Sequence, residues 1–410
     1  MLRAERRRWS DLVAAATIAV VIVVAVALLA GFGPAARTSS VTLTGPIPVT
    51  PPAPDDVPAT LTELWRAPSA ATPSPVTDGP LVVTGDNDAG AGGGTVLGRD
   101  PLTGQTRWSY HRELSLCTVG SGWHTALAVF RQGEYCSEVT QLTPATGARV
   151  QQRNSDVHPE IRLIDLGNLV GAAGADYLEA WRIDLIKTVM YGATRTDAQP
   201  NRQPHRGCRH LSTTGTQGRV AVLERCPDEA TDRLTVLRPD GEQGDRPELE
   251  FSVTLPSDAA KLVAVSADRV AVVLPNPTRL SIRDGAGTEV ASLPLDLPPA
   301  DLTVDQPGSV PATADGLRTV AWWTGSRTVG LDVAELRPTW TVPDSLGPGT
   351  VWAGRLVVPV RAGLAVLNAD NGAPLRTIPM GRGGWKGPVS LSALGPVLLE
   401  QRGPTVVALH

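Results

Sequence analysis

Between residues 61 and 410 the chain is made of short runs in which hydrophobic and polar residues alternate, each followed by a turn signal. One run, GTVLGR, leads into DPLTG (Asp100 to Gly104), and the next run reaches Trp108. Pro101 suits the second position of a type I turn, and Gly104 suits the left-handed conformation that closes a bulged hairpin. The pattern therefore predicts two antiparallel strands joined by a tight turn.

The same unit recurs along the chain. Turn signals of this kind occur at LTPATG, LRPDG, IRDGAG and LNADNG; from Gly104 to Gly147 is 43 residues, and from Gly241 to Gly285 is 44. The two wider gaps each hold two periods, with YLEAWRIDLIKTVMYG and RTVGLDVAELRPTW as the degenerate hairpins between them. A period in the low forties with short strands is typical of a β-propeller, in which each period forms one four-stranded blade.

The two ends of this region predict how the ring closes. GPTVVALH (403–410) is expected to be the third strand of a blade, and LTELWRAP (61–68) a fourth strand with nothing before it. Paired in space, they would complete one blade and remove the open sheet edges of an unclosed array. The 350 residues of this region give about 44 per blade for eight blades. We therefore expect an all-β, eight-bladed propeller, with seven blades as the alternative if one weak unit is an insertion.

The order of a strand, then D-x-x-T-G, then a tryptophan resembles the repeat of PQQ-like propellers, the quinoprotein alcohol dehydrogenase-like group. Trp65, Trp108 and Trp340 occupy the docking position of that repeat, whereas Gln151 or Gln152 falls near it in the second unit. The group includes quinoprotein dehydrogenases and non-enzymatic propellers of the cell envelope. The resemblance thus implies the fold more strongly than the chemistry.

An apolar segment precedes the repeats. No charged residue lies between Leu12 and Ala36, and Arg3 and Arg6 to Arg8 come just before this segment. At 1.5 Å per residue the segment is long enough for a hydrocarbon layer of ~30 Å. It predicts a transmembrane helix at 12–33, with a cytoplasmic basic tail at 1–11 and everything later outside the cytoplasm. A cleaved signal peptide is the alternative.

The stretch between this helix and the repeats is rich in proline. Residues 34–60 contain seven prolines among threonine, serine and alanine. Proline at this density disfavours sheet and favours extended conformation. We expect a stalk here, with the propeller domain at 61–410.

The four cysteines occur as two pairs. Cys117 and Cys136 are 19 residues apart, Cys208 and Cys226 are 18 apart, and both pairs occupy the same place within their units. Neighbouring antiparallel strands bring such positions together, and an oxidising compartment preserves the bond. Of the three pairings, Cys117–Cys136 with Cys208–Cys226 is favoured. The HRGCRH stretch (205–210) is an alternative metal site, but the periodic pairing already accounts for its cysteine.

Composition argues against several functions. The formal net charge of −4 offers no basic face for nucleic acid. A dehydrogenase of the resembled family would typically have a disulfide between adjacent cysteines, and this chain has no adjacent cysteines. No nucleophile elbow, HExxH or phosphate-binding glycine loop is present. We therefore predict a non-enzymatic protein with no catalytic residue, cofactor or metal ligand.

The most distinctive hairpin is 178–195. It concentrates charged and aromatic residues that the other units lack: Glu179, Trp181, Arg182, Asp184, Lys187 and Tyr191. In one interpretation the aromatics fill the space between blades while the charges face solvent. In the other these residues bind a partner, since tryptophan and arginine are favoured at interface anchors.

Two functions follow from these observations. The first is a membrane-tethered extracytoplasmic scaffold that binds proteins of the cell envelope. The alternative is a ligand-binding or redox protein that holds a small molecule, PQQ or a cell-wall saccharide, in the central channel. Titration of the purified domain with PQQ and calcium distinguishes the two.

Overall fold

The computed structural model describes residues 9–32, 37–88, 92–154, 159–194, 202–242 and 244–410. A helix, α1 (Trp9–Phe32), and two strands, β1 (Thr38–Val41) and β2 (Glu63–Pro68), precede the repeats. The described strands form eight four-stranded sheets. The predicted eight-bladed β-propeller is confirmed, and the seven-bladed alternative is wrong.

In blades 2 to 7 the four strands of each blade follow one another along the chain. Blades 1 to 4 contain, in chain order, the following strands: β3 (Val82–Asn87), β4 (Gly94–Arg99) and β5 (Thr106–Arg112); β6 (Leu116–Gly122), β7 (Thr125–Gln132), β8 (Tyr135–Leu142) and β9 (Arg149–Asn154); β10 (Arg162–Asp165), β11 (Val170–Ala173), β12 (Tyr177–Trp181) and β13 (Lys187–Gly192); β14 (Arg209–Thr216), β15 (Arg219–Arg225), β16 (Arg233–Arg238) and β17 (Glu248–Thr254). In blade 1, residues 71 and 76 bond to the inner side of β3, so β3, β4 and β5 are its second to fourth strands, and β1 pairs outside β5.

A short 3-10 helix, η1 (Pro299–Leu302), lies between blades 5 and 6. Blades 5 to 8 contain these strands: β18 (Lys261–Val265), β19 (Val270–Pro275), β20 (Thr278–Arg283) and β21 (Glu289–Pro294); β22 (Thr313–Asp315), β23 (Thr319–Trp323), β24 (Thr328–Asp332) and β25 (Pro338–Val342); β26 (Thr350–Trp352), β27 (Arg355–Val360), β28 (Gly363–Asn368) and β29 (Pro374–Pro379); β30 (Val389–Leu394), β31 (Val397–Arg402) and β32 (Thr405–Leu409) with β2.

Blade 8 is shared by the two ends of the propeller. The N-terminal strand β2 pairs antiparallel with β32, with Trp65 opposite Ala408 and Pro68 opposite Thr405. The order β30-β31-β32-β2 places β2 as the fourth, outermost strand, as the sequence predicts. Blade 8 also contacts blade 1 through the hydrogen bond from Thr72 Oγ1 to Gln401 Oε1, 3.0 Å. The ring is therefore closed.

The turns between third and fourth strands have the predicted chemistry. Gly104 has φ +71°, and the Asp100 carboxylate accepts hydrogen bonds from the backbone N–H groups of Leu102 and Thr103, each at 3.1 Å. The two degenerate hairpins place leucine where glycine is usual: Leu185 and Leu336 have φ +58° and +55°. Both leucine side chains are buried, and this burial offsets the strain of the left-handed backbone.

Contacts between neighbouring blades rest on the expected tryptophans. Trp65 Nε1 donates to the carbonyl of Pro101 at 2.8 Å, and Trp108 Nε1 donates to the carbonyl of Pro144 at 2.7 Å. Each indole lies on the turn glycine of the next blade, so that a Cβ added at Gly104 would lie 2.7 Å from Trp65 Cγ. In blade 4 a phenylalanine, Phe251, packs on the next turn in the same way.

The hydrophobic core is divided into seams between neighbouring blades. Eight clusters of buried apolar residues are present in the described part of the chain, and each joins two adjacent blades around the ring. The seam between blades 8 and 1 contains Trp65 and Ala67 from β2, with Val82 from blade 1. Closing the ring thus buries the N-terminal strand.

The segment after α1 differs from the predicted stalk. Strand β1 pairs antiparallel with β5 on the outer edge of blade 1, with Thr38 opposite Arg112 and Val41 opposite Ser109. Leu43 N–H then donates to the Thr146 carbonyl in the turn of blade 2, at 3.0 Å. Residues 38–41 contain no proline, so their backbone can form these ladder hydrogen bonds.

The rest of the linker also lies against the propeller. Thr50 Oγ1 donates to the Pro80 carbonyl at 3.2 Å, and the Asp56 carboxylate accepts from Arg355 at 3.1 Å. The Val57 side chain is buried among apolar residues of blades 7 and 8. The described residues 37–60 therefore lie against blades 1, 2, 8 and 7 instead of extending away as the predicted stalk.

Helix α1 is not buried against the rest of the protein over residues 9–28. Its stretch Trp9–Leu28 has a mean hydropathy of 2.7 and is 0% buried. By length and composition this stretch is able to cross a membrane, and a signal sequence meets the same criterion. The basic residues predicted to precede it, Arg3 and Arg6 to Arg8, lie outside the described residues.

Candidate interaction surface

The propeller has two chemically different faces. We call linker face the one that carries the turns joining first to second and third to fourth strands, because the linker lies over it at Pro80 and Thr146. The opposite, disulfide face carries the turns between second and third strands. The predicted pairs Cys117–Cys136 and Cys208–Cys226 are both bonded, with Cα atoms 6.0 and 4.1 Å apart, and both lie at the disulfide face.

Most of the predicted partner-binding residues of blade 3 are buried. The side chains of Glu179 and Trp181 are 0% exposed. The Glu179 carboxylate accepts from Trp181 Nε1 at 2.6 Å and from the Tyr177 hydroxyl at 2.8 Å, and Lys187 Nζ lies 3.8 Å away. This carboxylate satisfies the polar atoms of two buried aromatics. The prediction that Glu179 and Trp181 bind a partner is therefore wrong, and Lys187 is half-buried beside them.

Tyr191 also lies inside the protein. Its hydroxyl donates to the Glu224 carboxylate of blade 4, and its ring stacks on His210 with centroids 5.4 Å apart. Burial, followed by the negative charge of Glu224, raises the pKa of Tyr191. Tyr191 connects blades 3 and 4 and does not form a surface, so its predicted partner-binding role is wrong as well.

The turn of the same hairpin is exposed. Arg182 Nη2 lies 2.6 Å from Asp184 Oδ2, and this guanidinium holds the pKa of Asp184 below its usual range. Two apolar side chains flank the ion pair: Ile183 is 57% exposed and Ile186 is 51% exposed. The sequence prediction selected this hairpin for its tryptophan and did not identify Ile183 and Ile186. Two isoleucines in an exposed turn have no core to pack against, which is a sign of an interaction surface. For Arg182 and Asp184 the partner-binding role stays a prediction.

Exposed apolar side chains are concentrated at this edge of the molecule. In the described part of the propeller, every large hydrophobic side chain that is strongly exposed lies at the linker face. Leu317 lies in the turn between the first two strands of blade 6, and the others lie at the hairpins joining third and fourth strands. We call this second group the apolar rim: Leu64, Leu102, Val150, Ile183, Ile186, Leu249, Val290, Val333 and Leu375.

A polar channel runs along the axis of the ring. A cavity of about 510 Å³ is lined by the first strands of several blades, with Arg162 on β10 and both Asp165 and Asp315 nearer the linker face. Asp315 is open to solvent in the channel but has many protein atoms around it. Desolvation by these atoms, followed by the charge of Asp165, raises the pKa of Asp315.

Comparison with known proteins assigns no family. No family model matches the chain, and no curated protein matches it. Solved structures with a similar fold include BamB from Moraxella catarrhalis, which is 14% identical with a TM-score of 0.48 over 86% of this chain and 98% of that chain.

Two further solved structures have a similar fold at equally low sequence identity. The dihydro-heme d1 dehydrogenase NirN is 16% identical, with a TM-score of 0.49 over 86% of this chain and 75% of its own. PorZ, a component of the type-IX secretion system of Porphyromonas gingivalis, is 12% identical, with a TM-score of 0.44 over 84% of this chain and 45% of its own. At these identities the similarity carries no information about activity or partners.

Proposed function

We propose that this protein is a membrane-tethered, extracytoplasmic propeller that binds a partner protein of the cell envelope through the apolar rim. The observation that carries the proposal is the one-sided distribution of exposed apolar side chains over the propeller. Exposed apolar residues scattered singly are ordinary, whereas a set confined to one edge of a disc is typical of an interaction surface.

The tether rests on α1 and on the disulfides. The helix has no charged residue after Asp11, and its stretch Trp9–Leu28 is not buried within the protein, as is expected of a membrane anchor. Two disulfides and no free cysteine among the described residues fit an oxidising compartment. The basic residues before the helix favour a cytoplasmic N-terminus.

The path of the linker indicates which face of the propeller lies nearer the membrane anchor. Five residues lie between Phe32 and Thr38, so the end of α1 lies within about 20 Å of the outer edge of blade 1. Thr38 is opposite Arg112, at the end of β5 that approaches the disulfide face, and the chain then runs toward the linker face. We infer that the anchor joins blade 1 on its disulfide-face side, which leaves the apolar rim for a protein.

The turn of blade 3 is the best centre for this contact. The linker lies against blades 1, 2, 8 and 7, so the rim is least covered on blades 3 to 6. Within that part Ile183 and Ile186 are the most prominent neighbouring pair, and the Arg182–Asp184 ion pair supplies polar groups at their side. Apolar contacts with a polar surround are the usual anatomy of a protein interface.

Co-purification tests the proposal. The full-length chain, extracted from its own membranes in detergent, is compared with the double variant Ile183→Asp/Ile186→Asp. Both side chains are exposed, so the variant is expected to fold with an unchanged melting temperature and to lose the partner that the parent chain retains.

The matched control changes Glu134, which is exposed in the turn between second and third strands of blade 2 on the disulfide face. Glu134→Lys should retain the partner. A double variant that folds and still retains every protein bound by the parent chain would show that the rim at blade 3 is not the binding surface.

A further inference from the structure

The second disulfide lies inside a cluster of other metal-ligating groups. The sulfurs of Cys208 and Cys226 and a carboxylate oxygen of Glu224 all lie within 4.8 Å of one another, and all three residues are buried. His205 Nδ1 lies 3.1 Å from Glu224 Oε2 and 2.9 Å from the Tyr191 hydroxyl, which also contacts Glu224 Oε1. Two sulfurs, a carboxylate and an imidazole are the donor set of a tetrahedral zinc site.

The carboxylate of this cluster differs from other buried carboxylates of the propeller. Glu138 contacts the guanidinium of Arg112 at 3.2 Å, and Glu400 contacts that of Arg382 at 2.8 Å. Glu224, by contrast, is surrounded by the hydroxyls of Tyr191 and Thr235 and by imidazole. A buried carboxylate is normally paired with a fixed cation.

Longer-range charge does not change this picture. Arg233, a guanidinium that feels the charge of Glu224, makes its own ion pair with Glu229. His210 Nε2 lies 4.0 Å from Glu224 Oε1, so imidazoles approach both oxygens of the carboxylate. Two imidazoles and two hydroxyls therefore line the position that a fixed cation would take beside Glu224.

We propose that Cys208, Cys226, Glu224 and His205 form a zinc site when the Cys208–Cys226 disulfide is reduced. A dithiol reductant supplies two electrons, the S–S bond breaks, and the reductant becomes its own disulfide. The two thiols then lose their protons to solvent as Zn²⁺ binds both sulfurs. The protein would thereby exchange one covalent staple between neighbouring strands of blade 4 for a metal staple.

Three of the four ligands need only small movements for this exchange, and His205 joins them from its contact with Glu224. Zn–S bonds of about 2.3 Å and Zn–O or Zn–N bonds of about 2.0 to 2.2 Å require ligand atoms roughly 3.3 to 3.8 Å apart. After reduction the two sulfurs need only separate to that distance within the 4.8 Å group they already share with Glu224. His205, whose side chain is 23% exposed, is the member through which the ion enters. The hydrogen bond from Cys208 N–H to the His205 carbonyl, 2.9 Å, keeps the two residues adjacent.

The first disulfide provides a matched control within the same chain. Cys117–Cys136 joins blade 2 at the same face, but no described histidine, aspartate or glutamate completes a ligand group around it. In the Cys117→Ser/Cys136→Ser variant, only the proposed pair remains. In the Cys208→Ser/Cys226→Ser variant, only the control pair remains.

Zinc titration tests the proposal. The full-length variants in detergent are reduced with dithiothreitol, freed of it without oxygen, and titrated with Zn²⁺ against a chromophoric chelator. We expect one zinc per chain for Cys117→Ser/Cys136→Ser, none for Cys208→Ser/Cys226→Ser, and none for either before reduction. Adding Glu224→Gln to the first variant should weaken binding by about tenfold or more. Cobalt in place of zinc should give the absorption of a thiolate-bound ion.

Alkylation keeps the test decisive if a variant does not fold. In the reduced parent chain, zinc should slow alkylation of Cys208 and Cys226 more than that of Cys117 and Cys136, as read by mass spectrometry. Equal protection of both pairs, or no zinc bound after reduction, would overturn the proposal.

Discussion

Substitution of Gly104 tests how the ring is closed. This glycine lies in the turn of blade 1 with φ +71°, and an added Cβ would lie 2.7 Å from Cγ and 2.8 Å from Cδ2 of Trp65. Trp65 belongs to β2, the N-terminal strand that completes blade 8. Gly104→Ala therefore strains the backbone and also pushes the closing strand away from blade 1.

The two effects have different sizes. The left-handed conformation costs about 1–2 kcal/mol for alanine. The contact with the indole ring is too short for any real Cβ, and relieving it by overpacking costs about 1–3 kcal/mol. If Trp65 withdraws instead, its hydrogen bond to the Pro101 carbonyl is lost. We expect a total loss of about 2–5 kcal/mol in the free energy of unfolding.

Two other glycines separate these contributions. Gly218 has φ +79° but nothing within 4 Å of an added Cβ, so Gly218→Ala should cost only the backbone part, about 1–2 kcal/mol. Gly285 has neither a left-handed φ nor a neighbour within 4 Å, so Gly285→Ala should be neutral or stabilise by up to about 1 kcal/mol. The measurement is the midpoint of urea unfolding of the full-length chain in detergent, monitored by tryptophan fluorescence.

The order of the three midpoints decides the question. We expect the midpoint of Gly104→Ala to be the lowest, that of Gly218→Ala to be intermediate, and that of Gly285→Ala to equal or exceed the midpoint of the parent chain. If Gly104→Ala costs no more than Gly218→Ala, the indole of Trp65 does not dock on this turn, and the closure of the ring through β2 is refuted.

Three further predictions concern buried and channel groups. Glu400→Ala leaves two buried guanidiniums without their carboxylate and should cost about 3–5 kcal/mol, measured by thermal unfolding; an unchanged melting temperature would contradict it. Trp181→Ala should cost about 3–5 kcal/mol and Arg182→Ala less than about 0.5, so comparable losses would disprove the burial of Trp181. The pKa of Asp315 is raised above the ordinary 3.8, so its ionisation opposes folding. Parent stability relative to Asp315→Asn should fall as the pH rises through that pKa, and be highest below 3.8; a constant difference between pH 3 and 8 would refute this.

The fold could be predicted because its signals are local and repeated. A turn such as Asp100 to Gly104 is specified by its own five residues, and the spacing to Gly147 specifies the blade. Where a hairpin lacks the turn glycine, the packing of its side chains determines its conformation. Leu185 and Leu336 take the left-handed conformation because their side chains are buried, which no local propensity predicts. Phe251 packs on the turn glycine Gly287, where other blades have a tryptophan on the equivalent glycine, and no local pattern predicts this replacement.

The interaction surface was harder to predict because it depends on which side chains the ring buries. Trp181 has the composition of an interface anchor, but β12 is an inner strand of blade 3, and neighbouring blades cover it on both sides. The position of the linker depends on pairing between Thr38–Val41 and β5, some 70 residues apart, and no motif indicates that contact. The two disulfides could be predicted since their spacing follows the blade period.

Photo-crosslinking in living cells tests whether the apolar rim binds a partner protein. A photoreactive amino acid is placed at Ile183 on the apolar rim, or at Glu134 on the opposite face as the control, and adducts are identified by mass spectrometry. We expect one dominant protein adduct from position 183 and none of that protein from position 134. Adducts of the same protein at equal yield from both positions, or none from position 183, would contradict it.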